Sequence, residues 1–507
     1  MAKAISNINI IKFGLWVILA ASAVLEMILF TSIENLVGCA VTFVSTWLFF
    51  TFVFKIDTVR RRPIAFIAFL QLFLFMYLPL PATLLDGNGM SHDLFTPIKT
   101  YLLQLVYYCV GLLAFCVSGR WYAGNKVYNI MQRWGYYKTP SRWQLWLLGF
   151  IGLFFRLILM SRSGEGGVAG GGSLNMFSVL IYCPILILFG QYLGWKPCGR
   201  PTKFLIWGYV SFLVVLFVAT NSRSQMLSPL VVMAFCYLIG QIYVKHKRLW
   251  LTPKKFILIF VLALVIMGPA SDMATAMVVV RHERTEVSVR ELIGLTFDAY
   301  KDKARLNAYR QLAQDIADEQ VGGEWVENYV SSPFLERLCN YRVVDLTIYH
   351  AEKIGLANEK MLNFFVDCIC TMFPGPISNF LFPEIDKSEL SFSPMDYLYH
   401  LSTRSGTRSY RVGGDVGLGL ATFGYAYFIL CFLIYTLVFY IIDGVAHIDK
   451  GKLKISIFTL ISIYFTYFLM FQVGTGLSAQ TQFVLWGFWW STLWYCIIYK
   501  IIRTIAR

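Results

Sequence analysis

The chain has 507 residues, 57% of them hydrophobic and only 14% charged, with a formal net charge of +15 and a mean hydropathy of +0.60. A soluble protein carries roughly a quarter of its residues charged to cover its surface, so a soluble multidomain protein is excluded. The positive charge lies in short loops between apolar runs, which makes it a topology signal and argues against nucleic-acid binding.

A bilayer core about 30 Å thick takes about 20 apolar residues per helix. Runs of that kind lie near 13–31, 36–54, 64–82, 100–118, 143–160, 174–194, 204–220, 226–244, 256–274, 416–442, 455–476 and 482–502. They predict an all-α polytopic membrane protein of about twelve transmembrane helices. The first run follows Lys3 and Lys12 with no small-residue cleavage site, so it reads as a retained helix. Every second loop is basic: Lys55 and Arg60–Arg62, then Arg120, Lys126, Arg133, Lys138 and Arg142, then Lys196, Arg200 and Lys203. Lys245, Lys247, Arg248, Lys254 and Lys255 follow, then Lys450, Lys452 and Lys454, and finally Lys500, Arg503 and Arg507. The positive-inside rule assigns these loops and both termini to the cytoplasm of a bacterial inner membrane. The expected layout is nine helices over 1–274, a large helical periplasmic loop over 275–415, and three helices over 416–507.

Within the outer segments, Gly164–Gly172 is a Gly-rich stretch without the Lys-Ser/Thr ending of a phosphate loop. In the large loop, 288–319 and 332–354 read as amphipathic helices. Ser332-Pro333 supplies a cap with Pro at the first helical position. The 11 cysteines have no metal or redox spacing, and Cys339, Cys368 and Cys370 leave one disulfide open. No zinc, nucleotide or serine-hydrolase motif is present, so neither metal nor cofactor is expected. Asp272 alone could couple an ion.

Ionised groups at membrane depth cost at least ~2.5–3.5 kcal/mol and need a reason. Arg156 lies within the fifth run, near its outer end, and Arg223 lies in the tight outer turn Asn221-Ser222-Arg223-Ser224-Gln225. Each is either a snorkelling side chain or part of an anion site. Arg404, Arg408 and Arg411 lead into the tenth helix through Gly413 and Gly414, either against lipid headgroups or around a ligand. Guanidinium groups match phosphate oxygens bidentately and stay charged. On the loop helix, Arg337 and Arg342 are further anion ligands, whereas Arg342 with Asp345 also reads as a surface ion pair. His350 and His400 are candidate bases, or structural histidines.

This layout resembles Wzy-type polysaccharide polymerases, the O-antigen and enterobacterial common antigen group. Four local matches carry the resemblance. They are Asn221–Gln225; Phe373-Pro374-Gly375-Pro376 with Phe382-Pro383; Gly413-Gly414-Asp415-Val416-Gly417 running into Ala421–Ala426; and Gly474-Thr475-Gly476-Leu477. Arg408 and Gly419 also fit that family's loose Arg-x10-Gly pattern. The resemblance implies a glycosyltransferase that polymerises polyprenyl-diphosphate-linked (undecaprenyl-type) repeat units into lipopolysaccharide or capsule at the periplasmic face. Its other partners would be membrane lipids, a chain-length regulator and a flippase.

Arg223, Arg404, Arg408 and Arg411, with Arg337, Arg342 and Arg156, would bind the diphosphate leaving group without a metal. Asp415, Asp345 or His350 would serve as base. Trp325, Tyr329, Tyr341, Tyr397, Tyr399 and Tyr410 would stack on sugars or pack at the membrane surface. An O-antigen ligase-type transferase shares this architecture. A lipid-linked sugar flippase or transporter would show paired internal repeats, and none is seen. A purely structural assembly partner is the remaining alternative.

Overall fold

The computed structural model describes residues 2–162, 176–193, 198–219, 223–243, 289–309, 335–373, 375–385, 392–404, 411–449, 452–471 and 476–505, with short stretches and single residues between 269 and 330 and at a few other positions. It is an all-α, multi-pass membrane protein. The one sheet among the described residues is the hairpin Ala446–Asp449 with Lys452–Ile455, in which Ala446 pairs with Ile455.

Among the described residues, six helices are long and apolar enough to cross a bilayer: Ile8–Leu29, Ile33–Val53, Pro97–Arg120, Arg142–Leu159, Arg200–Phe217 and Asp415–Val445. Pro63–Tyr77 and Pro79–Leu85, bent by 48° at their junction, make a seventh if taken as one span. Proline cannot donate to the preceding turn, which accounts for the break before Pro79. The expected runs 174–194 and 226–244 form the shorter helices Met176–Gly190 and Ser228–Gly240. Run 455–476 is interrupted by a π-turn at Ile463–Tyr467 and a 3₁₀ turn at Phe468–Phe471, and run 482–502 by a π-turn at Phe483–Gly487. Run 256–274 lies almost wholly outside the described residues. Thus, among the described residues, six or seven of the twelve expected runs have full spanning length.

Close packing follows small residues. A Cβ on Gly152 would lie 2.1 Å from the Ile181 backbone nitrogen, and one on Gly149 would lie 2.4 Å from the Pro184 ring. The helix Arg142–Arg162 therefore seats directly on Val179–Leu193, as small residues three apart allow in membranes.

One end of the bundle brings together the segments around Arg62, Ser118, Asn125 and Asp443. There Arg62 is buried and pairs with buried Asp443, its Nε 2.9 Å from each carboxylate oxygen and one terminal nitrogen 2.7 Å from Oδ2. Arg62 also donates to the Phe115 carbonyl at 2.6 Å and to the Ser118 hydroxyl at 2.7 Å. Nearby, Asn125 caps Lys126–Trp134 and donates to the Tyr440 carbonyl at 2.8 Å.

At the opposite end the Glu26 carboxylate accepts from the Met90 amide at 2.6 Å, and the Tyr101 and Tyr329 hydroxyls donate to the Met90 carbonyl at 2.9 and 2.7 Å. These bonds hold the loop before Pro97–Arg120 between the first helices and the outer segment.

The segment 275–415, expected on the outer side, contains among its described residues Val289–Lys301, Tyr341–Ile354, Glu359–Cys370, Gly375–Leu381 and Pro394–Thr403. Its central helix starts at Tyr341, later than the sequence predicts. Asn340 accepts from the Val343 amide at 3.0 Å and caps it, after a 3₁₀ turn at Glu336–Leu338. Ser332 and Pro333 lie outside the described residues. The expected helix over 288–319 ends its first segment at Lys301. All 11 cysteines are free thiols, so the disulfide left open among Cys339, Cys368 and Cys370 does not form; Cys339 donates to the Leu335 carbonyl instead.

Candidate functional site

Two of the glycine motifs prove to be parts of one node. Asp415 opens the helix Asp415–Phe423 and is buried at 4% exposure. Its Oδ1 accepts from the Gly476 amide at 2.8 Å and the Gly474 amide at 3.2 Å, while Oδ2 accepts from the Tyr107 hydroxyl at 3.2 Å. Gly474 and Gly476 have φ of 121° and 56°, a region that favours glycine, so the turn aims both amides at one carboxylate. The Tyr107 and Tyr435 hydroxyls lie 2.5 Å apart. With Asp415 ionised, Tyr107 donates to it and Tyr435 donates to Tyr107.

The preceding glycines serve helix packing. A Cβ on Gly414 would lie 2.6 Å from the Val344 Cα, and one on Gly417 would lie 2.5 Å from the Thr347 carbonyl carbon. The Gly414 amide donates to the Thr347 hydroxyl at 2.7 Å. The helix Tyr341–Ile354 thus lies backbone to backbone on the start of Asp415–Phe423.

Asp345 is an anchor. It is fully buried and accepts from the Phe95 amide at 2.5 Å, the Thr96 amide at 2.9 Å, and the Thr96 and Thr100 hydroxyls at 2.9 and 2.8 Å. It satisfies the two amides that lead into Pro97–Arg120 and ties that helix to Tyr341–Ile354. Arg342 is not an exposed ion pair with it. Its guanidinium is buried, lies 5.3 Å over the Phe95 ring, and leaves Nε without a hydrogen bond. Burial lowers the Arg342 pKa, and nearby Asp93 and Asp345 oppose that shift.

His350 is also buried, with Nδ1 2.8 Å from the Ser402 hydroxyl and its ring against Tyr399 and Trp325 at 5.0 and 5.6 Å. Burial, reinforced by Lys353 and Arg411, pushes its pKa down to about 4, which keeps the ring neutral.

Arg156 lies against the end of the helix Arg200–Ala219, while Asn221 and Ser222 of the expected turn lie outside the described residues. The Arg156 guanidinium lies 5.3 Å over the ring of buried Phe217, near the end of the helix Arg200–Ala219. Arg156 is within electrostatic reach of Tyr182, whose hydroxyl bonds to Ser228. The single turn Arg223–Met226 leads directly into the helix that Ser228 begins. Beside Arg156, an apolar groove of about 640 Å³ runs between Phe154, Phe155, Phe177, Trp490 and Trp494.

The later arginines are arranged differently. Arg411 pairs with fully buried Asp396 at 3.0 Å and lies 4.0 Å over the Tyr399 ring. Arg404 is exposed at the end of Pro394–Thr403, with φ of 61°. Arg337 lies on the turn Glu336–Leu338, and Arg408 and Tyr410 lie outside the described residues. Tyr329 and Tyr341 are buried packing residues, and Tyr397 stacks on Phe364 at 4.7 Å.

The sequence does not single out Glu327, Asp396, Tyr107 or Tyr435. Asp396 carries one local signal, because Ser393 caps its helix by accepting from the Asp396 amide at 3.0 Å. The others depend on contacts far apart in the chain. Among the described residues, no group of three or more His, Cys, Asp or Glu side chains could hold a metal ion. No known protein family, curated protein or solved structure matches the chain.

Proposed function

We propose that this protein is a membrane glycosyltransferase that polymerises polyprenyl-diphosphate-linked oligosaccharide repeats on the outer face of a bacterial inner membrane. The observation that carries the reading is Arg156, a guanidinium set into the apolar bundle over Phe217. Phe217 lies at the far end of the helix Arg200–Ala219 from the basic loop that contains Arg200. Positive charge is sparse on the outer side of membrane proteins, so arginines kept there call for an anionic ligand.

In this reading the basic loops and both termini are cytoplasmic, twelve crossings carry the chain, and residues 275–415 cover the site. Arg156 and Arg223 hold the diphosphate, and Arg404 and Arg408 approach it from the outer segment. Because Asp396 already engages Arg411, that residue is not among the diphosphate ligands. The groove beside Phe154 and Trp494 matches an isoprenoid chain in size and in its apolar lining.

Chemistry then follows from charge. The bond from the anomeric carbon to the diphosphate oxygen breaks, and fixed guanidinium groups stabilise the negative charge on the leaving oxygen. The anomeric centre becomes oxocarbenium-like, and the acceptor hydroxyl of the second lipid-linked repeat attacks it. Asp345 is committed to four donors, so it holds the scaffold and takes no part as base.

The test is the surface glycan of strains carrying Arg223→Ala or Arg156→Ala at normal protein level. The proposal expects single repeats attached in place of long chains. Complete absence of attached repeats would indicate a ligase, accumulated unflipped precursor would indicate a flippase, and an unchanged ladder would remove both arginines from the site.

A further inference from the structure

A second polar set lies in the outer segment, built around Glu327. The Glu327 Oε1 accepts from the Val412 amide at 2.6 Å and from the Trp325 indole nitrogen at 2.8 Å. Among the described residues, its Oε2 accepts no hydrogen bond. The carboxylate is thus clamped through one oxygen. Trp325 is half-buried, with its ring 5.7 Å from Tyr399 and 5.6 Å from His350. Arg411 lies on the Tyr399 ring, 4.0 Å from its centre, and is held there by Asp396. The strand after Arg411 passes Val412 and Gly413 to reach Asp415, so this set adjoins the glycine node.

An indole, a carboxylate and a guanidinium on one rigid frame are the elements of a sugar subsite. The aromatic face covers the apolar face of a pyranose, and the two charged groups take its hydroxyls. Burial raises the Glu327 pKa, while its bonds to Val412 and Trp325 and the nearby Arg411 charge pull it back. A carboxylate raised in this way is a better proton acceptor than an exposed one.

We propose that Trp325 and Arg411 seat the acceptor sugar of the incoming repeat, and that Glu327 takes the proton of its attacking hydroxyl. The inference rests on the glycosyl-transfer reading above. In the step, the acceptor oxygen forms a bond to the donor's anomeric carbon as its proton passes to Glu327 Oε2. The bond to the diphosphate breaks, and its electron pair leaves with the diphosphate. Tyr399 and Asp396 are positioning residues, because they act through Arg411. His350, neutral and bonded to Ser402, supports the indole from behind.

The experiment uses the full-length protein in nanodiscs with lipid-linked repeat purified from host membranes. Glu327→Gln keeps an acceptor for Val412 and Trp325 but removes the base. Its turnover should fall by at least about a hundredfold, and the residual rate should lose its rise with pH. Glu327→Asp, which restores a carboxylate, should recover part of that loss. Wild-type turnover and pH profile in Glu327→Gln would overturn the inference, as would Gln and Asp variants of equal activity. If Arg223→Ala is inactive while Glu327→Gln is normal, this base assignment fails and glycosyl transfer stands. A wild-type protein that extends no chain from the purified repeat would sink the transfer reading itself.

Discussion

The Asp443→Asn substitution would test the buried ion pair with Arg62. Arg62 and Asp443 are both buried, and the guanidinium is engaged by both carboxylate oxygens, the Phe115 carbonyl and the Ser118 hydroxyl. It also lies 4.1 Å from the centre of the Phe115 ring, and a Cβ on Gly119 would meet one of its nitrogens at 2.6 Å. Arg62 therefore has no room to turn toward water. Asparagine keeps the shape of Asp443 but leaves the guanidinium charge uncompensated. Breaking one side of such a pair costs about 3–5 kcal/mol, or roughly two to three and a half orders of magnitude in the folded-to-unfolded ratio. Replacing both partners in Arg62→Met/Asp443→Leu removes the buried charge along with its partner and should recover most of that loss. Thermal unfolding of purified protein in one detergent, with membrane abundance alongside, reads the effect. An Asp443→Asn protein as stable as wild type would refute the reasoning.

Two further outcomes follow from packing and protonation. Gly417→Val would push a side chain into the Thr347–Ile348 backbone, 2.5 and 2.6 Å from the Cβ position, and should cost at least about 1–3 kcal/mol; faster protease cleavage of the outer segment would show it, and wild-type protection would contradict it. His350 has a folded pKa of about 4 against an ordinary 6.5, so the folded state favours the neutral ring. Its contribution is complete above pH 6.5 and is lost as pH falls toward 4, by about 3 kcal/mol in total. Pulse proteolysis between pH 7.5 and 4.5 should show that loss in wild type and a shallower one in His350→Gln; equal slopes would contradict it.

The membrane class was legible because apolar run length and loop charge are local properties of the chain. Span integrity was less so. Hydropathy does not register a bend between Tyr77 and Pro79 or a π-turn at Ile463–Tyr467, since neither changes composition. The glycines around Gly414 were legible as close-approach positions, but whether a ligand or a helix approached was not; Val344 and Thr347, some 70 residues earlier, supply the answer. Asp345 reads as a surface ion pair with Arg342 on one helical stripe, or as a base. Its occupation by Phe95, Thr96 and Thr100 depends on a contact across about 250 residues that no periodicity encodes. Arg156 and Arg223, by contrast, stood out for the cost of an ionised group at membrane depth, and Arg156 does lie within the bundle, over the Phe217 ring.

The central claim concerns which groups hold the diphosphate, and a structure of the protein in nanodiscs with bound polyprenyl diphosphate tests it most directly. The account predicts diphosphate density within hydrogen-bond distance of Arg156 and Arg223, with the isoprenoid chain running toward Phe154 and Trp494. Diphosphate bound elsewhere, or an Arg223 side chain on the same membrane side as Arg62 and Arg120, would contradict it.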